Sequence, residues 1–460
     1  MEKQFLPPPN STLPFWLTDR SPLDQIRSTP DLPSESDIVI IGAGYAGISL
    51  AYHLLTSAQN SGSEVPSITI LEARTICSGA TGRNGGHVRP DTYSLMPLYI
   101  QRHGLDAARE VAEFELSHIE ALQDVIRAEK IEDCDFVLTR NMNVYLDQDR
   151  GNETKRGIEK LREMGCGFAD DFFVADDQEA EAISGVKGAK TAFSFPAGSI
   201  WPYKFIMGLL RAVLRHGNDK VNVQTTTPVL SVVSSSADDV NIIHTPRGTI
   251  RSKKVVYTTN AYTFGLLPEY APAIIPAKGI VAHISLPESK KPPLLSQTYV
   301  LRPDSSDGAD YMIVRPDGSI IIGGAHQIHT FPEKGPEGNT EWFGNTDDSR
   351  LIDSTSGYWD GYMQRHFKGW EDTEAKVEEL WTGTPHIGPV PSRPGQFIAA
   401  GFNGHGMPVI FLSTKGLADM ILHNTSFDQT GIPQIYKTTS ARLEAARTGK
   451  KGGDILHFEQ

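Results

Sequence analysis

The sequence is poor in cysteine and contains no long apolar run. Its 460 residues include only three cysteines, Cys77, Cys134 and Cys166. Such an odd and sparse set offers no disulfide framework and predicts a reducing compartment. The longest apolar runs are short pieces such as residues 38–41, far below the roughly 20 residues that a membrane span needs. Because the N-terminus lacks an apolar signal core and the C-terminus is not of the Ser-Lys-Leu type, we expect a cytoplasmic protein.

Basic residues are also fewer than acidic ones. The chain carries 43 lysines and arginines against 56 aspartates and glutamates, a formal net charge of −13. This balance argues against wholesale binding to nucleic acid or to an anionic membrane. The 14 histidines form no HxxxH pair and the cysteines no CxxC pair, so no metal site is predicted. The composition, with 39% hydrophobic residues, is that of a globular protein, and the length implies two or more domains.

The first informative motif is a glycine turn between a predicted strand and a predicted helix. Residues 37–41 are almost continuously apolar, as in a central parallel strand, and Gly42, Gly44 and Gly47 follow. In dinucleotide-binding folds these glycines allow a tight turn, close approach of the pyrophosphate and close helix packing. The anion would lie at the N-terminus of the helix. Glu72, directly after the second strand, is placed to bind ribose hydroxyls and disfavours the 2′-phosphate of NADP.

A run of small residues follows the second strand. Residues 78–86 read Ser-Gly-Ala-Thr-Gly-Arg-Asn-Gly-Gly, which cannot form a core but suits a backbone lying against a flat ligand. Here the sequence resembles the D-amino-acid-oxidase-like FAD-dependent oxidoreductases, and especially their bacterial and fungal γ-glutamylputrescine-oxidase-like branch. Weaker similarities lie at 198–202, 256–262 and 276–279. A second specific one, Gly-Phe-Asn-Gly-His-Gly-Met-Pro, lies at 401–408.

The C-terminal glycine loop also predicts a flavin contact independently of the resemblance. A predicted strand at 397–400 runs into Gly401, Gly404 and Gly406, and a helix is predicted from about Met407. The N-terminus of such a helix stabilises negative charge on the N1–C2=O edge of a reduced flavin, with His405 beside the ring. No second strand–GxGxxG–helix unit is apparent, so a dedicated nicotinamide domain is not expected.

The order of elements predicts an α/β protein with a discontinuous Rossmann-like FAD-binding domain and an inserted antiparallel-sheet α+β substrate domain. The expected segments are an N-terminal arm (1–36), FAD-binding parts (37–110, 201–274 and 376–445), substrate-domain parts (111–200 and 275–375) and a C-terminal tail (446–460). The arm is either a loose leader or an extended segment pinned by Phe15 and Trp16. We favour the pinned arm, because a solvated tail has no use for two rings.

The cofactor implied by the resemblance is FAD. The predicted contacts are Gly42, Gly44, Tyr45, Ala46, Gly47, Glu72, Ala73, Arg74, Ser78, Gly79, Ala80, Thr81, Arg83, Asn84, Gly85, Gly86, His87, Val229, Gly401, Asn403, Gly404, His405, Gly406 and Met407. Some relatives attach flavin covalently through a histidine in this region. Their histidine falls nearer the Arg83 position, which argues against such a bond at His87.

The resemblance implies oxidation of a C–N bond in a small amine or amino acid. A hydride passes from the substrate to flavin N5, the imine hydrolyses, and oxygen reoxidises the flavin to give hydrogen peroxide. Two alternatives stay open: a dehydrogenase that uses another acceptor, and a flavin-binding protein without turnover. Neither the substrate nor the oligomeric state follows from the sequence.

Three residues are candidates for the catalytic pocket. Arg315 could bind a substrate carboxylate in bidentate fashion, or else pair structurally with Asp317. His386 lies where the family often places a residue over the flavin. Lys278 could help oxygen accept its first electron, or else be a solvated lysine at a strand end.

Overall fold

The computed structural model describes residues 6–235, 239–287, 289–291, 293–303, 308–325, 328, 341–381, 387–402 and 404–448. The helices are α1 (Tyr45–Ser61), α2 (Met96–His103), α3 (Leu105–Glu129), α4 (Gln148–Glu163), α5 (Asp177–Ser184), α6 (Pro202–Gly217), α7 (Tyr362–His366), α8 (Ile410–His423) and α9 (Ser440–Arg447).

Seventeen strands in these ranges form two sheets. They are β1 (Glu35–Ile41), β2 (Ile68–Leu71), β3 (His87–Val88), β4 (Val137–Tyr145), β5 (Phe173–Asp176), β6 (Thr191–Ser199), β7 (Val221–Gln224), β8 (Ser231–Ser235), β9 (Val240–Thr245), β10 (Gly248–Tyr257), β11 (Val281–Ser285), β12 (Thr298–Arg302), β13 (Asp310–Val314), β14 (Ile320–Gly323), β15 (Lys376–Trp381), β16 (Ile387–Pro389) and β17 (Gln396–Ala399).

The first sheet has the order β16-β17-β10-β1-β2-β7, and the β8–β9 hairpin is added beside β10. Strands β17, β10, β1, β2 and β7 are parallel, while β16 and the hairpin run antiparallel to their neighbours. Both faces of β1 are covered: Ile38 and Ile40 pack on the side of α1, and Val39 and Ile41 in a second core. Burial on both faces explains the continuous apolar run, as expected for a parallel strand.

The second sheet has the order β15-β11-β14-β13-β12-β4-β6-β3, with β5 on β6. Its pairs are antiparallel except β12 with β4. Side chains alternate between its faces. Met142, Val144 and Leu301 lie in an apolar core on one face. Asn143 and Val300, which alternate with them, lie on the other.

The predicted fold class is therefore confirmed: a parallel-core sheet and a mostly antiparallel second sheet. The sequence also predicts a helix at 105–128, from apolar residues that recur at helical spacing, and another from Pro202 to Gly217; the structure has these as α3 and α6. The sequence at 249–251 and 255–258 also predicts two separate short strands, but the structure has the single strand β10. The two halves of this strand have different partners on one side, β9 along Gly248–Ser252 and β17 along Val255–Tyr257, which explains why its pattern changes midway.

Two elements lie across the predicted domain boundaries, which otherwise stay predictions. His87–Val88 pairs with β6, and Lys376–Trp381 pairs with β11, so both belong to the second sheet rather than to the FAD-binding parts. Their strand partners are far away in sequence, and local patterns carry no information about such pairing.

The described part of the N-terminal arm is held against the rest of the protein at Phe15 and Trp16. Trp16 is only 1% exposed, and its indole Nε1 donates a hydrogen bond to the Asn84 carbonyl at 2.6 Å. Trp201 donates to the Trp16 carbonyl at 2.9 Å, and the Phe15 ring lies 5.2 Å from the Trp201 ring. The two rings predicted to hold the arm do so.

Within the described ranges, no helix is long and apolar enough to cross a membrane. The same residues contain no group of three His, Cys, Asp or Glu side chains that could hold a metal ion.

Candidate active site

A cavity of about 970 Å³ lies between the two sheets. The carboxyl ends of the parallel strands border it through Ile41, Leu71, Thr258 and Ala399, and Tyr311 borders it from the second sheet. Ligands of open α/β sheets bind outside the carboxyl ends of the strands, and this volume is at the top of the usual range for small-molecule sites. The cavity is therefore the candidate active site.

The glycine turn forms one end of the cavity, which we call the phosphate end. Gly42 has a φ of +110°, a conformation that favours glycine. A Cβ on Gly47 would lie 2.0 Å from the Gly42 carbonyl oxygen, so only glycine lets α1 pack this closely on the turn. Thr258 closes the turn, because its hydroxyl oxygen lies 2.8 Å from the carbonyl oxygen of Ile41 and 2.9 Å from that of Gly42 and can donate to either.

The N-terminus of α1 fits the pyrophosphate of FAD. The Tyr45 amide donates to Thr81 Oγ1 at 2.8 Å, and a Cβ on Gly44 would come within 2.9 Å of that oxygen. In the described part of the chain, the amides of Gly44 and Ala46 have no acceptor. Free amides at a helix N-terminus, beside a glycine without a side chain, are the features that bind phosphate.

Glu72 lies where a ribose acid is expected. Its two carboxylate oxygens accept 2.9 Å hydrogen bonds from the amides of Ala43 and Arg74. Burial raises the pKa of this carboxyl, and the two amide bonds oppose that change. Each oxygen keeps a further lone pair for a ribose hydroxyl. The residues at this end therefore fit the adenosine half of FAD.

Arg74 and Arg83 line the cavity, but their guanidinium groups already have partners. Arg74 donates to both carboxylate oxygens of Asp348, at 3.0 and 2.8 Å. Arg83, with a side chain only 1% exposed, has its Nε 3.4 Å from the same carboxylate and donates to Thr12 Oγ1 at 3.0 Å. Asp348 thus connects residues 74–83, which are among the predicted FAD contacts, to a segment far away in sequence. Thr12 connects the same residues to the N-terminal arm.

Another part of the cavity wall, which we call the histidine end, contains His87, Arg89, Asp91 and His405. His405 Nε2 lies 2.7 Å from Glu115 Oε2, a carboxylate on α3 that is almost fully buried. Burial alone would lower the pKa of His405, but the Glu115 charge and hydrogen bond outweigh it and raise the pKa above its ordinary value. Asp91 reinforces this effect. His405 is therefore biased toward its cationic form.

His87 is biased toward its neutral form. Its Nε2 lies 2.7 Å from Thr298 Oγ1, and no described carboxylate accompanies it. Burial, together with the charges of Arg89 and His405, holds the pKa of His87 well below its ordinary value. The histidine end thus contains one neutral and one cationic imidazole.

The C-terminal loop differs from its prediction in one detail. Helix α8 begins at Ile410 rather than near Met407. The amides of Val409 and Ile410 donate to the Gly406 carbonyl at 3.1 and 3.0 Å, so a turn precedes the helix. Gly406 has no room for a Cβ, which would lie 2.8 Å from Ile410 Cδ1.

Most of the predicted cofactor contacts line this one cavity. They are Gly42, Gly44, Tyr45, Ala46, Glu72, Ala73, Arg74, Ser78, Gly79, Ala80, Thr81, Arg83, Asn84, Gly85, His87, Val229, Gly404, His405, Gly406 and Met407. Gly47, Gly86 and Gly401 lie behind the wall: Gly47 packs on Gly42, Gly86 packs on the Ile200 carbonyl, and the Gly401 amide donates to the Asn260 side chain. Asn403 lies outside the described residues.

Of the predicted catalytic residues, Lys278 lines the cavity and Arg315 does not. Arg315 is not part of the cavity wall; it forms ion pairs with Asp135 at 3.1 Å and with Asp317, and stacks on Phe15 and Trp201. The clamp expected there finds no support, because its donors are engaged elsewhere. Lys278 does line the cavity, and its Nζ donates to the Arg350 carbonyl at 2.8 Å. Burial lowers the pKa of Lys278, partly offset by carboxylates including Asp347. His386 lies outside the described residues.

Several lining residues were missed from the sequence. Arg89 follows His87 by two positions, so strand alternation could have placed both on one side. Arg302 and Tyr311 lie on β12 and β13 and share the face of Asn143. Asp348, which lines the cavity, and Glu115, which binds the lining residue His405, could not be recognised from the sequence, because these partners are hundreds of residues away.

The chain is similar to known flavoenzymes. The family described as FAD dependent oxidoreductase (DAO) matches residues 37–420. Gamma-glutamylputrescine oxidoreductase of Escherichia coli (strain K12) is 23% identical over 336 residues, which cover 67% of this chain and 73% of that protein.

Two solved structures share the fold. Glycine oxidase from Geobacillus kaustophilus superimposes with a TM-score of 0.65 at 18% identity, covering 86% of this chain and 96% of that one. L-proline dehydrogenase from P. horikoshii gives 0.63 at 18% identity, with 91% and 99% covered. Because the family match spans most of the sequence, this protein belongs to the DAO family of FAD-dependent oxidoreductases and is an FAD enzyme of the amino-acid or amine oxidase kind.

Proposed function

We propose that the enzyme oxidises the C–N bond of an amino acid, or of another small amine that carries a carboxylate, to an imine that then hydrolyses. Bound FAD supplies the hydride acceptor and, once reduced, the electrons that convert oxygen to hydrogen peroxide. The flavin ring would lie at the histidine end and the pyrophosphate at the phosphate end.

The observation that carries this proposal is the state of Arg89. Its Nε is enclosed by protein without a hydrogen-bond partner, and its Cζ lies 5.2 Å from the centre of the Phe195 ring. No described carboxylate forms an ion pair with it. An enclosed guanidinium that lines a cavity and lacks an anion is suited to bidentate binding of a substrate carboxylate.

Asp91 is not the anionic partner of Arg89. Its oxygens accept bonds from the Ser94 amide at 2.9 Å, the Ser94 hydroxyl and the Tyr93 amide at 3.4 Å. Burial would raise the pKa of Asp91, but the charges of Arg89 and His405 and the Ser94 bonds hold it below its usual range. Asp91 therefore stays ionised and is held within its own turn.

The proposal also concerns the electron acceptor that reoxidises the flavin. One structural relative is named an oxidase and another a dehydrogenase. We favour oxygen because Lys278, which lines the cavity, offers a cation for the first electron transfer. A dehydrogenase that passes electrons to another acceptor is the second candidate.

A panel of amino acids and amines tests the proposal. Purified yellow enzyme is mixed anaerobically with each compound, and loss of the visible flavin band is followed. Carboxylate-bearing amines are expected to bleach the flavin, and matched amines without the carboxylate are not. Air should then restore the colour with release of peroxide. Failure of every amine to bleach the flavin would remove the proposed function, and colour that stays lost in air would favour the dehydrogenase.

A further inference from the structure

We propose that His87 Nδ1 accepts a hydrogen bond from the substrate amino group and so holds it in the neutral form that hydride transfer requires. This inference rests on the proposed amine oxidation and adds the residue that binds the amino group. It is carried by a chain of buried hydrogen bonds that starts at His87 and by the charges around it.

The chain runs from the cavity into the second sheet. His87 Nε2 contacts Thr298 Oγ1 at 2.7 Å, and Thr298 Oγ1 lies 3.2 Å from Asn141 Oδ1. Asn141 Nδ2 donates to Asn143 Oδ1 at 2.8 Å, and Asn143 donates onward to the Tyr93 hydroxyl. Thr298 lies opposite Asn141 in the parallel β12–β4 pair, so the sheet register builds the chain. Thr298 and both asparagines are almost completely buried.

The direction of the donors fixes the tautomer of His87. The Asn141 carbonyl oxygen can only accept, so the single hydroxyl hydrogen of Thr298 points to it. Toward His87, Thr298 can then only accept, and Nε2 must carry the hydrogen. A neutral imidazole with hydrogen on Nε2 has a lone pair on Nδ1.

That lone pair is available to a ligand. His87 lines the cavity, and no described residue bonds to its Nδ1. Nδ1 is also absent from the buried polar atoms left without a partner, so it is open to the cavity. It can therefore accept a hydrogen bond from the N–H of an amine.

The surrounding charges select the neutral amine over the ammonium ion. Arg89 and His405 are the charged groups whose fields reach His87, and both lower its pKa together with burial. An ammonium ion in the same position meets the same repulsion and the same loss of solvent. The two nearby carboxylates do not compensate: Glu115 is bound to His405, and Asp91 to Ser94. Tyr311, whose ring lies 6.4 Å from the imidazole, is uncharged because burial raises its pKa above its ordinary value.

Proton balance follows directly. An amino acid in neutral water is a zwitterion, and its ammonium proton leaves to solvent when the amino group binds as a neutral amine. No electrons move in this step; the N–H bond that breaks gives its proton to buffer. Since amine pKa values are roughly 8 to 10, binding at pH 7 should release close to one proton per substrate.

The first test needs no substrate. Holoenzyme labelled with ¹⁵N-histidine is examined by NMR at pH 7, and the His87 signals are assigned by their loss in His87→Gln. The Nε2–H neutral tautomer is expected in the wild type and in Thr139→Val, which removes a β4 threonine hydroxyl that bonds only to the Ser296 carbonyl. Thr298→Val should mix the tautomers. An imidazolium or an Nδ1–H tautomer in the wild type would overturn the proposal, whatever the substrate panel gives.

The second test uses an analogue of the amino acid that bleaches the flavin fastest, with no hydrogen on the carbon that bears the nitrogen, so that binding is measured without hydride transfer. Anaerobic binding is followed calorimetrically in two buffers of different ionisation enthalpy. Release of close to one proton at pH 7 is expected, and His87→Gln should weaken binding about fivefold to tenfold, as for one lost hydrogen bond. Binding of this analogue without proton release, while the parent amino acid still bleaches the flavin, would overturn the His87 proposal and leave the oxidase function standing.

Discussion

The Glu115 carboxylate and the His405 imidazole lie 2.7 Å apart, although 290 residues separate them in the chain. Glu115 Oε2 also accepts the Asp91 amide at 2.6 Å, and Oε1 accepts the Tyr436 hydroxyl at 3.4 Å. One buried carboxylate therefore joins α3, the strand region after His87 and the C-terminal glycine loop. It holds a cation against the cavity.

Glu115→Gln should remove that cation at neutral pH. The pKa of His405 is raised in the folded enzyme, so its charge is fully present below the ordinary value of 6.5 and is lost as pH rises through the raised pKa. Without Glu115, burial dominates and the loss moves to lower pH. Because a cation stabilises negative charge on a reduced flavin, the flavin midpoint potential at pH 7 should fall. Spectroelectrochemistry between pH 5 and 9 measures this.

Glu113→Gln is the matched control, since Glu113 lies on the same helix but is exposed. Its potential should follow the wild type at every pH. Equal potentials in Glu115→Gln and wild type across the range would show that His405 does not act on the flavin.

Arg89→Leu should weaken binding of carboxylate substrates. Charge-assisted hydrogen bonds to a charged group contribute about 1.5–3 kcal/mol, so KM should rise roughly 10- to 100-fold, and thermal stability should change little. Steady-state kinetics with a carboxylate amine and its matched amide provide the measurement. The amide, which lacks the anion, should lose much less.

Arg315→Leu is the comparison, because Arg315 carries the same charge outside the cavity wall. Its removal leaves the Asp135 carboxylate without its partner and exposes the Phe15 and Trp201 faces, so the melting temperature should fall while KM stays near the wild type. A KM that rises with Arg315→Leu and not with Arg89→Leu would reverse the assignment of the clamp.

Arg89 and Arg315 show the limits of predicting the site from the sequence. Gly42 and Glu72 were predictable because a turn, a helix start and a strand end are local patterns whose chemistry is fixed by a few neighbouring residues. The sequence could not place Arg315, because its partner Asp135 is 180 residues away and comes beside it only through folding. The fold class followed from the order of strands and helices, whereas the pairing of β3 with β6 depends on contacts that no local pattern contains.

Gly47→Ala should cost the enzyme its cofactor. The added Cβ would lie 2.0 Å from the Gly42 carbonyl oxygen, so α1 must move away from the turn and its free amides leave the phosphate end. The purified variant should be colourless or bind FAD far more weakly, as shown by the ratio of visible to ultraviolet absorbance.

Gly157→Ala is the control for the same substitution, because a Cβ added to this helical glycine in α4 would meet no described atom within 4 Å. It should keep full colour and gain up to about 1 kcal/mol in unfolding free energy from helix propensity. Full FAD content in Gly47→Ala would contradict the role given to this contact.

Asp348→Asn should destabilise the apoprotein more than the holoprotein. Asp348 is bound by both terminal nitrogens of Arg74 and lies 3.4 Å from Arg83 Nε, with every one of these side chains largely buried. Removing one partner of a buried ionic group leaves uncompensated charge and costs about 3–5 kcal/mol. In the apoprotein both arginines lose their anion. FAD brings a diphosphate into the cavity that Arg74 and Arg83 line, and this offsets part of the loss.

Melting temperatures of both forms, at low and at high salt, measure the difference. Asp347→Asn is the control, because that neighbouring carboxylate is bound by Ser349 and is more exposed. Its effect should be small and equal in the two forms. If Asp348→Asn lowered both melting temperatures equally, the arginines would not sense the diphosphate, and Arg74 and Arg83 would serve only to hold residues 341–350 and the arm. A larger fall in the apoprotein, reduced by added FAD, places the two guanidinium groups within electrostatic reach of the cofactor.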